Sequence, residues 1–395
     1  MVGAPAGIDR KGLHSGRSVL IVGHHPMLTW KAIFMIDPQT ISRQVLKNCD
    51  ISDARHAGLY SICGLALRLR DLYKWDTGTP AWEEKDSAEV LDWIGRREAH
   101  WESLEGEDYR RISLGGRDYS PFDTRRINAV LLPHRLCYGA GYGHSLKPTF
   151  FLATVEASCD IAGTPVTILG RELARDLMTL PALSQDGRVL LRKEAARLYL
   201  WDWMLYVKKS GRRVLESALN ACGIFDLRPI KLRDHLEDIL KIHQETFIYH
   251  ELGEIHDRVF DRTLWRKLVA AFPGTAVELL ARSVKDLLAD TSPQGPLAHM
   301  IAEKNNASAG LYAAFHEGLS LEIFPEVRTA YDAFSASGDW AHIAAAVSAG
   351  RSRACAYAAE IIAIFQEGIR KNDLQWAAET IENRLVEPLR HRDAA

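Results

Sequence analysis

Apolar residues recur at intervals of three and four over most of the chain, the spacing that gives an α-helix one apolar face. In the first such segment Leu59, Ile62, Ala66 and Leu69 follow this spacing. The pattern predicts helices over residues 51–75, 87–104, 193–222, 229–258, 277–289 and 297–324, with alanine-rich helices after them. The predicted fold class is therefore mainly α, with a helical, bundle-like C-terminal half.

The pattern changes within the N-terminal half, where glycine, proline and β-branched residues become more frequent. Phe150–Ile161 and Thr164–Gly170 have the composition of strands, and Ala162 and Gly163 between them have that of a hairpin turn. We therefore expect a small antiparallel β element in this half, with a β-hairpin near residues 150–170.

These elements predict two regions, a mixed α/β region over residues 1–191 and an all-helical region over residues 192–395. A short apolar run at residues 18–23 predicts a further strand near the N-terminus. In the helical region, Thr275 and Glu278 have the spacing of a capping box, which marks a helix start.

Composition and charge narrow the function classes. The chain has 395 residues, with 49 basic and 51 acidic side chains and a net charge of -2, so it lacks the overall positive field that favours nucleic acid. No window holds the roughly 18 apolar residues of a membrane span. The six cysteines form no C-x-x-C pair, which together with a charged N-terminal segment favours reduced thiols and a cytoplasmic location.

Residues 243–257 gather three histidines and four carboxylates, the side chains that bind metals. On a helix that advances about 100° per residue, His243, His250, Glu251 and Glu254 fall on one face. His250 and Glu254 are four residues apart, close enough to share one ion. These four residues are the predicted metal ligands.

A metal site between helices needs ligands from a neighbouring helix. His316, in the segment 297–324, is the predicted fifth ligand, with Glu322 as a further carboxylate. The Glu-x-x-His signature of di-iron carboxylate proteins is absent, because Glu251 is followed three positions later by Glu254.

The leading hypothesis is a metal-dependent enzyme with a His/carboxylate site between helices. Mixed imidazole and carboxylate ligands suit iron or manganese, with zinc as a further option. This predicts a non-haem iron or manganese oxidoreductase acting on a small molecule.

A lesser hypothesis comes from His256 and Asp257, whose doublet resembles that of the HD metal-dependent phosphohydrolases. In that family an earlier histidine and a later aspartate complete the site. By order along the chain, the resemblance implies that His235 and Asp286 take these parts, in a metal-dependent phosphohydrolase.

Two other interpretations stay open. The helices rich in tryptophan and alanine are typical of a non-catalytic interaction or scaffold protein, and the tryptophan-rich ones also predict contacts in a homo-oligomer. His134, Cys137 and His144 flank a glycine-rich segment, residues 138–143, which is either a flexible connection or a loop that faces a substrate.

Overall fold

The computed structural model describes residues 36–390, and most of these are helical. The mainly α class is confirmed. The strand predicted at residues 18–23 lies outside the described residues.

Among the described residues, the sheet-containing part of the chain has four α-helices, three before the first strand and one between the second and third strands. These are α1 (Pro38–His56), α2 (Ile62–Thr77), α3 (Ser87–Glu102) and α4 (Thr124–Leu131). The single helix predicted over residues 51–75 is wrong, because the chain leaves the helix after α1 and Ser61 caps a new one. The Ser61 side chain accepts the backbone N–H of Gly64.

Seven strands follow α3 in the described part of the chain, two before α4 and five after it. They are β1 (Ile112–Leu114), β2 (Arg117–Tyr119), β3 (Leu136–Tyr142), β4 (Pro148–Ile161), β5 (Thr164–Arg175), β6 (Ala182–Gln185) and β7 (Arg188–Arg192). The first two form a separate antiparallel pair, and the other five form one sheet in the order β3-β4-β5-β7-β6. The β element is therefore larger than predicted and mixed, since β5 and β7 run parallel.

The predicted hairpin is the centre of this sheet. Ala162 and Gly163 both have positive φ angles, 50° and 80°, as a tight hairpin turn requires. The glycine-rich segment 138–143, however, lies mostly in β3 and is not a loop. Gly139 is needed there because a Cβ atom would lie 1.9 Å from the Phe151 ring on β4.

The helical part begins directly after β7. Its helices are α5 (Lys193–Tyr206), α6 (Lys209–Ala221), α7 (Pro229–His256), α8 (Arg262–Ala271), α9 (Ala276–Asp290), α10 (Pro296–Glu303), α11 (Asn306–Phe315), α12 (Gly318–Ile323), α13 (Glu326–Ser337), α14 (Ala341–Lys371), α15 (Leu374–Ile381) and α16 (Glu387–Arg390), with a π-helical turn (Glu382–Val386) before the last. The long helix predicted over residues 297–324 divides into three. Lys304 adopts a left-handed conformation, and His316 is extended.

Helix α7 connects the two parts of the chain. Ile248 and Leu252 pack against Val166, Val189 and Leu191 of the sheet. An earlier stretch of the same helix lies in the large apolar core of the helical part. The apolar side of α7 thus faces the sheet where the predicted polar face begins.

Glu278, near the start of α9, is a second connection between the parts. Its buried carboxylate accepts the backbone N–H groups of Ser145, at 3.0 Å, and Gly274, at 2.7 Å. Arg282 pairs with Glu278 at 2.8 Å and donates to the Gly143 carbonyl. These contacts fix α9 against the segment that follows β3. No helix formed by residues 36–390 is long and apolar enough to cross a membrane.

Candidate metal site

Three side chains from two helices meet beside the C-terminal end of α7. His250 and Glu254 come from α7, and Asp286 comes from α9. Each offers one ligand atom, and these atoms lie within 4.8 Å of one another. Within residues 36–390 this is the one group of three histidine, cysteine or carboxylate side chains that comes so close. The predicted pairing of His250 with Glu254 is thus part of it.

The close approach of α7 and α9 depends on Gly253. A Cβ atom at this buried position would lie 2.3 Å from the carbonyl oxygen of Ala289. Any larger residue would force the two backbones apart and would separate His250 and Glu254 from Asp286. Gly253 therefore does not interrupt α7 but allows the two helices to pack closely.

The orientation of His250 is set by hydrogen bonding. Its Nδ1 lies 2.7 Å from Oδ1 of Asp290, the last residue of α9. The other carboxylate oxygen of Asp290 accepts the hydroxyl of Tyr312 on α11, at 2.8 Å. Because a carboxylate accepts, Nδ1 of His250 is the donor, and Nε2 is the atom that can bind a ligand.

Neighbouring charges, including that of Lys285, shift the pKa values of His250 and Glu254. Burial alone would lower the pKa of His250, but the Asp290 carboxylate raises it well above its usual range. Burial likewise opposes ionisation of Glu254, but Lys285, whose Nζ lies 2.5 Å from Oε1 of Glu254, lowers the pKa of that carboxyl. Lys285 is thus the cationic group that holds Glu254.

Glu251 and Asp286 are attracted by His250 and Lys285 but are in direct contact with neither cation. Neither side chain makes a hydrogen bond or an ion pair with any residue between positions 36 and 390. Burial raises the pKa of Glu251 to about 7, with the Glu254 carboxylate adding to the effect. Burial also raises the pKa of Asp286 to about 6. The group therefore holds more carboxylates than cationic side chains.

His243 and His316 are not brought into this group. His243 is buried two turns before His250, with its ring edge-on to Phe247 and Phe315 at centroid distances of 5.3 and 5.9 Å. Burial lowers the pKa of His243 to about 3. His316 follows the end of α11, and its Nε2 lies 2.9 Å from the carbonyl oxygen of Ser320.

The four residues of the phosphohydrolase hypothesis do not form one site. His235 and His256 lie in the same straight run of α7, 21 residues apart, which corresponds to about 30 Å. His256 is exposed, and Asp257 forms an ion pair with Arg351 at 2.7 Å. Only Asp286 of this set belongs to the cluster with His250 and Glu254.

His134, Cys137 and His144, which flank the glycine-rich segment, do not form a metal-binding group among residues 36–390. Cys137 is fully buried in β3, and burial raises the pKa of its thiol to about 12. The Nδ1 of His144 lies 2.8 Å from the Ser145 hydroxyl.

Lys285, Asp290 and Tyr312 are members of the site environment that the sequence did not reveal. One signal was present, since Asp286 and Asp290 are four residues apart in a helix whose other side is apolar. Tyr312 had no such signal, because it lies 22 residues from Asp290 on another helix.

The site thus lies in a mainly helical chain with a five-stranded mixed sheet, between two helices of the helical part. Residues 40–192 match the N-terminal domain model of a family described as of unknown function (DUF6866). Residues 197–384 match the C-terminal domain model of the same family, which contains α7, α9 and α11. The chain is similar to this family over both domains. No curated protein and no solved structure matches it.

Proposed function

We propose that this chain is a metal-dependent enzyme whose divalent cation binds between α7 and α9. The ligands are Nε2 of His250 and carboxylate oxygens of Glu254 and Asp286, with Glu251 adding negative charge. The observation that supports this best is that Glu251 and Asp286 make no hydrogen bond or ion pair with a described residue and lie near His250, whose Nε2 becomes a ligand atom when it loses its proton. Glu251 is 8% exposed, and a buried carboxylate is costly without a counter-ion, which a divalent cation would supply.

The ligand set suggests the metal and the chemistry. A ligand set of one imidazole nitrogen and several carboxylate oxygens suits iron or manganese. Structural zinc sites, in contrast, are rich in thiolate ligands. The side chains of His250 and Glu254 are 27% and 21% exposed, so an ion bound to them would not be sealed from solvent. On this basis we propose oxidoreductase chemistry on a small-molecule substrate.

Metal titration tests the site. Protein stripped with a chelator is titrated with Mn²⁺, Fe²⁺ (without oxygen) or Zn²⁺ in a calorimeter. We expect one ion per chain, and binding at least 100-fold weaker in His250→Ala and Asp286→Asn. His299→Ala is the matched control, because His299 also pairs with a carboxylate, Glu245, at 2.9 Å but lies outside the cluster.

The outcomes separate the two levels of the proposal. Absent binding, or equal binding in wild type and Asp286→Asn, contradicts the metal site. Oxygen uptake by the Fe²⁺-loaded protein, measured with an electrode and lost in Asp286→Asn, supports redox chemistry. Metal binding without any oxygen uptake or change of metal oxidation state contradicts the oxidoreductase and leaves the metal site standing.

A further inference from the structure

We infer that Asp290 and Tyr312 are positioning residues, which hold the His250 ring so that Nε2 faces the cation. This inference rests on the proposed function, since it concerns the same site. Asp290 uses one oxygen for His250 and the other for Tyr312, at 2.7 and 2.8 Å. Three helices, α7, α9 and α11, thereby define the position of one imidazole.

Burial protects these two hydrogen bonds from competition by water. Asp290 and Tyr312 are 9% and 8% exposed, so water competes little for either group. Tyr312 is itself fixed by packing, since its ring stacks on that of His316 with centroids 5.4 Å apart. His316, predicted as a ligand, thus supports the tyrosine that supports Asp290.

The same contacts distinguish Asp290 from Asp286, one turn earlier on α9. Both oxygens of Asp290 already accept hydrogen bonds, whereas Asp286 has none from the described residues. A carboxylate that accepts from Nδ1 also makes Nε2 a stronger donor to a metal. Asp290 therefore acts through His250, and Asp286 acts as a ligand.

The test compares Tyr312→Phe and Asp290→Asn with wild type. Removing such a support usually weakens metal binding 10- to 100-fold. We expect about 10-fold for Tyr312→Phe, which keeps the ring, and a larger loss for Asp290→Asn. Tyr331→Phe is the matched control, because the buried Tyr331 also donates to a side chain, Asn306 at 3.0 Å, away from the site. It should bind Mn²⁺ as wild type does.

A purely structural role would leave the ligand field unchanged. The visible absorption spectrum of Co²⁺-loaded protein should therefore shift in Tyr312→Phe and stay unchanged in Tyr331→Phe. Wild-type affinity together with a wild-type spectrum in both Tyr312→Phe and Asp290→Asn would overturn the positioning role.

A measurement without metal separates this inference from the proposed function. In chelator-treated protein labelled with ¹⁵N-histidine, His250 should give a downfield Nδ1–H proton signal, identified by its loss in His250→Gln. The signal should vanish in Asp290→Asn and move in Tyr312→Phe. If it does so while no metal binds, the positioning stands and the enzyme proposal fails. If wild type shows no such signal, the positioning is wrong.

Discussion

Two groups of charged side chains, one fully buried and one partly exposed, lie on opposite sides of the boundary between sheet and helices. In the sheet-containing part, Lys147 lies 3.0 Å from Asp53 and 3.5 Å from Asp176, and all three are at most 1% exposed. In the helical part, Glu251 and Asp286 lie near His250 and Lys285 but make no hydrogen bond or ion pair with a described residue. The difference is how completely each carboxylate is satisfied.

Each carboxylate of the sheet group has backbone donors as well as a cation. Asp53 accepts the N–H of Leu177, and Asp176 accepts those of Phe150 and Met178. These bonds join α1, β4 and the end of β5. Such a group positions secondary structure, whereas a group with unused carboxylates is suited to binding an added cation. Burial of charge alone therefore does not identify a site.

The largest effect should come from removing the cation of the satisfied group. Lys147→Met leaves Asp53 and Asp176 buried without their counter-ion, and breaking a buried ion pair in this way costs about 3–5 kcal/mol. We expect the free energy of unfolding, measured by urea titration at pH 7.5, to fall by about that amount.

Lys193→Met is the control for this change. Lys193, at the start of α5, pairs with Glu156 of β4 at 2.7 Å, and their side chains are 27% and 46% exposed. A salt bridge with this exposure contributes about 1 kcal/mol or less. An equally small loss in Lys147→Met would show that the buried group does not hold the sheet-containing part together.

The next largest effect concerns two histidines on one helix. His243 is buried among aromatic rings, which lowers its pKa to about 3, whereas an unfolded chain has about 6.5. A depressed pKa gives stability that is complete above the unfolded value and is lost as the pH falls. Between pH 7 and pH 5 this loss amounts to about 2 kcal/mol. His243→Phe should remove it, as urea titrations at the two pH values would show.

His235→Phe provides the comparison on the same helix, since the side chain of His235 is 43% exposed, whereas His243 is buried. It should leave the pH dependence of the unfolding free energy unchanged. If His243→Phe also leaves that dependence unchanged, His243 is charged in the folded state, and its place in an apolar environment is wrong.

The position of His243 also shows what the sequence could predict. Spacing placed His243, His250, Glu251 and Glu254 on one face, and the helix is there. Periodicity does not reveal which residues of other helices each turn of that face contacts. The turn at His243 meets Phe315, and the turn at His250 meets Asp290.

For the fold, too, local features could be predicted from the sequence, whereas contacts between distant residues could not. Local signals were sufficient for the hairpin at Ala162 and Gly163 and for the start of α9 at Thr275. The parallel pairing of β5 with β7 was not predictable, because it depends on how the chain returns between them. The close contact at Gly253 was hidden for a similar reason, since its partner Ala289 is distant in sequence.

A smaller effect is expected at Lys285, the cation that already holds Glu254. Lys285→Met removes a positive charge that repels a metal ion bound to Glu254. The dissociation constant for Mn²⁺ at low salt should fall about 10-fold, or about 1.4 kcal/mol. Calorimetric titration measures this directly. Lys285→Arg, which keeps the charge, should show no such gain, and weaker binding in Lys285→Met would mean that Lys285 supports the site.

The smallest expected effect is that of Asp286→Asn on stability, and it gives the clearest distinction between the helical group and the sheet group. Asp286→Asn in metal-free protein removes a charge that makes no ion pair with a described side chain. Desolvation and the Glu254 carboxylate disfavour this charge more than His250 and Lys285 favour it, so the pKa of Asp286 is raised. The free energy of unfolding in urea with a chelator should therefore stay constant or rise by up to about 1 kcal/mol. The same substitution in the sheet group, Asp176→Asn, should lower it by about 2 kcal/mol or more, because Lys147 loses a buried partner. Equal losses in both variants would mean that Asp286 is as well satisfied as Asp176, and the case for a cation between α7 and α9 would lose its main support.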